Sequence, residues 1–314
     1  MKIISDIHIP YLVESIRREW PDAHIFPMEP EQIDTLAVRD ADVLVIRTRT
    51  QVNEQLLAGS HVQLVCTATI GFDHIDTAYC DAHGIRWMSC PGCNAQAVCD
   101  YIEEVLEEYS HLSLLTSQLS IGVVGVGHVG SLVAKMAERR GLKVLLNDPP
   151  KRIGENLDFI GKNCDIITFH VPLDKFTYHM CDEAFLAKCK PGALIINAAR
   201  GGVVDEQALL RSGHPFVLDT WENEPQINIE VLNKALLASM HIAGYSEQGK
   251  RNATHMCLNA IAEHFGLKPI QLSTVNYRPS TLGDSASGWL SRISAQLKKQ
   301  PENFELLRKN YPLR

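Results

Sequence analysis

The sequence lacks most of the features that would place it outside the soluble globular proteins. No long Lys/Arg run occurs and the formal charge is −7, which argues against nucleic acid or an anionic membrane as a partner. No apolar run approaches the ~18 residues of a membrane span. The opening residues Met1-Lys2-Ile3-Ile4-Ser5-Asp6 start a strand-like pattern at once, without the apolar core of a signal peptide, so a cytoplasmic chain is expected. There is no internal repeat and no low-complexity tract. Cysteine is present but unorganised. The nine residues are odd in number and scattered through core-like segments, as suits reduced thiols. Cys90-Pro-Gly-Cys93 has the spacing of a metal or redox pair, yet no second pair matches it and its Pro-Gly reads as a turn. A structural role and no metal are expected.

What is present is an ordinary globular composition, 45% hydrophobic and 21% charged, over 314 residues, a length that suits two domains. The segment Ile121-Gly-Val-Val-Gly125-Val-Gly127-His-Val129-Gly130 reads as a buried strand, a G-x-G-x-x-G turn and a helix start. Glycines there permit a tight turn, close approach to a pyrophosphate and close helix–strand packing. The helix N-terminus offers free N–H groups to phosphate. A second apolar strand, Lys143–Asn147, leads to Asp148 about 20 residues on, where a carboxylate can bind both ribose hydroxyls of an adenosine. Together these predict a dinucleotide site with NAD as cofactor, since Asp148 would repel a 2′-phosphate. Lys151 and Arg152 nearby weaken that preference slightly.

Strand patterns at Lys2–Asp6, His24–Met28, Asp42–Arg47, Gln63–Thr69 and Ile85–Cys90 alternate with helical ones, such as Pro10–Trp20 and Asn53–Leu57. This is the signature of a parallel sheet covered by helices. A second series follows: Ile121–Gly125, Lys143–Asn147, Asp165–His170, Ala193–Ala198, Phe216–Asp219 and Met240–Ala243. Long helices are expected at about Ala95–Ser110 and Ser246–Phe265. On the first of these, Glu103, Glu104, Glu107 and Glu108 read as a solvated face. Beyond Pro269 the chain reads as a polar tail with weak helical patterns at Gly288–Lys298 and Pro301–Asn310. The expected fold class is α/β: a Rossmann NAD-binding domain over residues 93–245, and a flavodoxin-like substrate domain from both chain ends, 1–92 and 246–314, tail included. A small-molecule site is expected in the cleft between two such domains.

Three polar residues follow strand ends in the second series: Arg200, Glu224 and His241. A guanidinium can grip a substrate carboxylate bidentately, and an imidazole can take a hydroxyl proton as hydride leaves. A carboxylate can orient that imidazole and favour its charged form. On position alone, Glu222 competes with Glu224, and Arg200 could equally serve as a capping or ion-pair residue.

The motifs together resemble the D-isomer-specific 2-hydroxyacid dehydrogenases. The matching segments are Ile46-Arg-Thr48-Arg-Thr50, Thr67-Ala-Thr69-Ile-Gly-Phe-Asp-His74, Gly125 to Gly130, Asn197-Ala-Ala-Arg-Gly201, Trp221-Glu-Asn-Glu-Pro225 and His241-Ile-Ala-Gly-Tyr245. Pro91-Gly-Cys-Asn94, Asp148-Pro-Pro150 and His241–Tyr245 point to a branch acting on a small phosphorylated 2-hydroxy acid. The resemblance implies Arg200, Glu224 and His241 as catalytic residues, and selects Glu224 over Glu222. It implies cofactor contacts at Gly125, Gly127, Val129, Gly130, Asp148, Val171, Ala198, Ala199, Arg200, Asp219 and Gly244, and substrate contacts at Thr48, Thr69 and Tyr245. The family often has Ser at position 48 and Thr at position 171; Thr48 keeps the hydroxyl and Val171 loses it. A homodimer is implied, although the family's C-terminal assembly region is longer than the tail here. Enzymes of the D-3-phosphoglycerate or glyoxylate/hydroxypyruvate type would use the same three residues. Dinucleotide-sensing corepressors share the fold, but retention of all three residues argues for an enzyme. Arg47 and Arg49 flank Thr48 at a strand end and are candidates for a substrate phosphate. Alternation along the segment allows at most one to face it.

Overall fold

In the computed structural model the described residues are 1–112, 119–272 and 288–312. The chain forms two compact units. One runs to Asn94 and resumes at Ser246; the other runs from Ala95 to Tyr245 and includes the C-terminal helices.

The first unit has five parallel strands, β1 (Lys2–Asp6), β2 (His24–Met28), β3 (Val43–Ile46), β4 (Leu64–Thr67) and β5 (Arg86–Met88), in the spatial order β2-β1-β3-β4-β5. That is the flavodoxin-like order 2-1-3-4-5. β3 and β4 are buried along their whole length, as expected of strands covered on both faces. The helix Glu247–Phe265 belongs to this unit. Ser246 caps its start through the Gly249 N–H, and Gly266 ends it in a left-handed conformation.

Among the described residues the second unit has seven strands: β6 (Ser120–Val124), β7 (Lys143–Asp148), β8 (Ile153–Gly154), β9 (Ile166–Phe169), β10 (Leu194–Asn197), β11 (Phe216–Leu218) and β12 (Leu237–Ala238). Their order is β12-β11-β10-β9-β6-β7-β8, all parallel except β8 against β7. It is a Rossmann sheet, with the order reversing between β6 and β9. No helix among the described residues is long and apolar enough to cross a membrane. All nine cysteines are buried thiols. Cys90 donates to the carbonyls of Thr67 and Ala253, and burial pushes the Cys93 thiol up to about 12.

Several expectations are corrected. The C-terminal segment is not a tail on the substrate unit. Helix Trp289–Lys299 packs on β12 and on helix Ala95–Leu112, with Trp289, Leu290 and Leu297 buried in the second unit's core. Cys93 and Asn94 fall in the first unit. The acidic cluster is not a solvated face. Glu108 is buried, where its carboxylate accepts the N–H groups of Leu290 and Ser291 and so caps the C-terminal helix. Glu103 and Glu107 hold Arg140. The last strand is Leu237–Ala238, and Met240–Ala243 lies in the turn beyond it.

Candidate active site

The dinucleotide motif folds as its residues dictate. Gly127 is the N-cap of helix His128–Arg139 and carries no side chain to occupy the first N–H groups. A Cβ on Gly127 would meet nothing within 4 Å, so the space above the helix end is open, whereas one on Gly130 would lie 1.8 Å from the Gly125 carbonyl oxygen. Asp148, at the end of β7, accepts the Val126 N–H at 2.9 Å and the Lys151 N–H at 3.3 Å. The open cradle, the exposed helix dipole and the adjacent carboxylate fit an adenine dinucleotide without a 2′-phosphate. Lys151 Nζ lies 3.8 Å from Asp148 and donates to the Val126 carbonyl, close enough to bear on that selection. Val129, Val171, Ala198, Ala199 and Gly244 are half-buried. Val171 follows β9, Ala198 and Ala199 follow β10, and Gly244 lies beyond β12, so all four stand past strand ends of one sheet.

His241 and Glu224 are brought together. His241 Nδ1 lies 2.8 Å from Glu224 Oε2, while Glu224 Oε1 accepts the Trp221 N–H at 2.9 Å. The carboxylate oxygen accepts, so Nδ1 carries the proton and Nε2 is left with a lone pair. Both side chains are mostly shielded, 18% exposed for Glu224 and 30% for His241. Burial pushes the Glu224 carboxyl up, but the hydrogen bond and charge of His241 and the Trp221 N–H outweigh it, leaving the group below the ordinary carboxylate range. His170, near the same sheet, is no rival base, since burial lowers its imidazole to about 3.

Arg200 follows β10. Asn197 fixes this turn by donating to the Arg200 carbonyl and accepting the Ala199 N–H. One guanidinium N–H goes to the Ala199 carbonyl at 2.8 Å, and no carboxylate pairs with Arg200 among the described residues. Gly201 presses against the Trp221–Glu222 backbone, where a Cβ would lie 2.0 Å from the Trp221 carbonyl oxygen. Only glycine lets the Arg200 turn and the Glu224 turn approach this closely.

Glu222 is occupied elsewhere. Its carboxylate pairs with His179 Nε2, and its N–H donates to Glu206 Oε1 at 2.7 Å. Glu206 is 2% exposed. Burial, only partly offset by that N–H, and the charges of Glu222, Glu224 and Asp205 raise its carboxyl to about 7. Neither His179 nor Glu206 was visible as a functional neighbour in sequence.

Asp219 is 1% exposed, and its carboxylate accepts the Ile242 and Ala243 N–H groups at 2.8 and 2.9 Å. Tyr245 follows, its N–H on the Ile242 carbonyl.

In the first unit, Thr48 is exposed in the turn after β3, and Thr69 is half-buried after β4. The Thr69 hydroxyl donates to the Gly71 carbonyl at 3.0 Å, so Thr67 must donate to Thr69 at 2.7 Å, and His74 Nε2 to Thr67 at 3.0 Å. Arg47 is committed to Asp6, with Nε at 2.8 Å from Oδ2 and Nη2 at 3.3 Å from Oδ1. Arg49 is exposed. No group of three or more His, Cys, Asp or Glu among the described residues could hold a metal ion.

Residues 102–251 match the model of the D-isomer specific 2-hydroxyacid dehydrogenase NAD binding domain. The erythronate-4-phosphate dehydrogenase of Bacteroides fragilis is 43% identical over 100% of this chain and 97% of its own length. That of Pseudomonas fluorescens is 35% identical over 100% of this chain and 92% of its own. The chain belongs to the erythronate-4-phosphate dehydrogenase family. It is an NAD-linked oxidoreductase. In fold it is similar to the D-lactate dehydrogenase of Aquifex aeolicus, solved with NAD and lactic acid, with TM-score 0.68 and 24% identity over 84% of this chain and 96% of that one. It is also similar to the NAD⁺-bound 3-phosphoglycerate dehydrogenase of Entamoeba histolytica, with TM-score 0.71 and 23% identity over 88% and 99% of the respective chains.

Proposed function

We propose that this chain oxidises the C2 hydroxyl of 4-phospho-D-erythronate, giving 3-hydroxy-2-oxo-4-phosphooxybutanoate and NADH, as a step of pyridoxal 5′-phosphate (vitamin B6) formation. Its membership of the family supports the substrate, and the His241–Glu224 pair carries the chemistry. Bound NAD⁺ supplies a hydride acceptor. Gly125, Gly127, Val129, Gly130, Asp148, Val171, Ala198 to Arg200, Asp219 and Gly244 would hold it.

In this reading His241 takes the hydroxyl proton on Nε2, the nitrogen that Glu224 leaves free. Glu224 holds the ring tautomer and balances the imidazolium charge. Arg200, which has no carboxylate partner among the described residues, grips the substrate carboxylate through its fork. Thr48, Thr69 and Tyr245 are assigned to substrate contact. For the phosphate, Arg49 is preferred to Arg47, because Arg47 already neutralises the buried Asp6. A cytoplasmic homodimer is the assembly and location that this reading carries with it.

The test is a panel of phosphorylated and unphosphorylated 2-hydroxy acids followed by NADH absorbance. 4-Phosphoerythronate is expected to give the highest kcat/KM, and His241→Gln is expected to lower kcat by about 10²–10⁴ with NADH binding retained. Preference for another hydroxy acid removes the substrate assignment. Near-normal turnover by His241→Gln removes the imidazole from the mechanism.

A further inference from the structure

The turn that presents His241 is held in a conformation that its own residues do not favour. His241 has φ of 57°, in the left-handed region, which for a residue with a Cβ costs about 1–2 kcal/mol. Such a conformation persists only where its surroundings over-determine it. Asp219 supplies most of that determination. Its carbonyl accepts the His241 N–H at 2.8 Å, and its two carboxylate oxygens accept the next two N–H groups, of Ile242 and Ala243. One buried residue therefore receives three consecutive backbone donors.

The Asp219 carboxylate is itself aimed by Ser239. Ser239 Oγ donates to Asp219 Oδ1 at 2.6 Å, and Ser239 is fully buried. A hydroxyl has one proton, and this one is given to the carboxylate. The contact of 2.8 Å between Tyr101 Oη and Ser239 Oγ must therefore be a donation from Tyr101. The order is fixed: Tyr101 to Ser239 to Asp219, each donor strengthening the next in a buried, low-dielectric setting. The Ser239 carbonyl also accepts Trp221 Nε1 at 2.8 Å, and the backbone N–H of Trp221 holds Glu224. Ser239 thus contacts Asp219, which holds the His241 turn, and Trp221, which holds Glu224, and it touches neither member of the pair itself.

We propose that Ser239 is a positioning residue for the proton-transfer pair, acting through the relay Tyr101–Ser239–Asp219. This rests on the reading of His241 as the proton acceptor. Removal of the Ser239 hydroxyl takes one of three donors from the Asp219 carboxylate and leaves it held only by the turn it is meant to fix. The turn then relaxes and the imidazole loses its alignment with Glu224.

The experiment compares Ser239→Ala, Tyr101→Phe, the double variant and His241→Gln. Ser239→Ala is expected to lower kcat about 10-fold, with the Kd for NADH within twofold of wild type. Tyr101→Phe should act in the same direction but less, and the double variant should be no worse than Ser239→Ala, because Tyr101 acts through Ser239. Histidine-selective ¹⁵N NMR of the cofactor-free protein gives a second readout. The His241 Nδ1 proton bonded to Glu224 should be sharp in wild type, absent in His241→Gln and broadened in both relay variants. An unchanged resonance in both, or losses in kcat that multiply in the double variant, overturns the relay. If Ser239→Ala does not fold, Tyr101→Phe carries the test alone, since it removes one hydroxyl and leaves the ring packing. Full turnover by His241→Gln would instead sink the catalytic reading, and the NMR result would still judge the relay.

Discussion

Replacing Gly201 by Ala tests whether the Arg200 turn and the Glu224 turn work as one rigid piece. The added Cβ would stand 2.0 Å from the Trp221 carbonyl oxygen, 2.1 Å from its carbon and 2.6 Å from the Glu222 nitrogen. All three are backbone atoms, so no side chain can swing aside. A relaxed C···O contact is about 3.3 Å, so the two turns must part by about 1.3 Å. Trp221 donates its N–H to Glu224, and Glu224 holds His241, so the displacement enters the catalytic pair directly. A misplacement of about 1 Å can cost about 10² in rate. Overpacking of this kind also costs about 1–3 kcal/mol of stability. We therefore expect kcat/KM to fall about 100-fold in the NADH absorbance assay, with a melting midpoint lowered by several degrees. Gly213→Ala is the control. That position, unlike Gly201, is left-handed, and it is open, with nothing within 4 Å, so it should lose stability without losing much rate. A Gly201→Ala enzyme within threefold of wild type would show that the two turns are not mechanically joined.

Glu224→Gln should move the acidic limb of the kcat/KM profile to lower pH, because the imidazolium loses its anionic partner. Glu222→Gln should leave that limb in place, because its carboxylate is paired with His179. Glu206 carries a raised carboxyl, at about 7 against an unfolded value near 4.5, so the folded state holds its proton through that interval and the unfolded state does not. Stability from this group is therefore present below about 4.5 and is lost as pH rises to about 7, by up to about 3 kcal/mol. In urea titrations, Glu206→Gln should flatten the decline across that window and be the more stable form at pH 8; parallel curves would refute the assignment. Asp148→Ala should weaken NAD binding and reduce discrimination against NADP, read as the ratio of the two kcat/KM values.

The parts of the site that were legible in sequence depend on local chemistry. The run from Ile121 to Gly130 declares its strand, turn and helix because each glycine meets a constraint within a few residues, and Asp148 falls at the end of the next strand for the same local reason. The alternation of strand and helix announces two parallel sheets with right-handed crossovers, which limits the possible strand orders without selecting the two observed. What was not legible depends on partners distant in the chain. Met240-His-Ile-Ala reads as a strand by its apolar content, yet Asp219, some twenty residues earlier, takes its N–H groups and turns it. Glu108 reads as one of four surface acids until Leu290 and Ser291 arrive to be capped. Arg47 and Arg49 look equivalent until Asp6 claims one of them. Strand β8 is two residues long, too short to leave a periodic trace. Ser239 and Tyr101 are separated by 138 positions, and nothing local marks either as a neighbour of the proton-transfer pair.

The C-terminal helix changes what must be counted as the cofactor-binding fold. Strand β12 closes one side of the seven-stranded sheet, and the Ala238 N–H, which no further strand among the described residues receives, donates to Ser294 Oγ on helix Trp289–Lys299. Lys298 Nζ reaches the Ala235 carbonyl, and Trp289 sets its ring edge-on to Tyr101. A sheet border with open donors is a template for another chain, and this one is sealed by residues far along the sequence. The family match ends at residue 251, short of the seal, so a unit cut at that boundary would contain every dinucleotide motif and still present a bare strand to its neighbours. Helix Trp289–Lys299 thus keeps the β12 edge from serving as a pairing template, a task set by the sheet it covers.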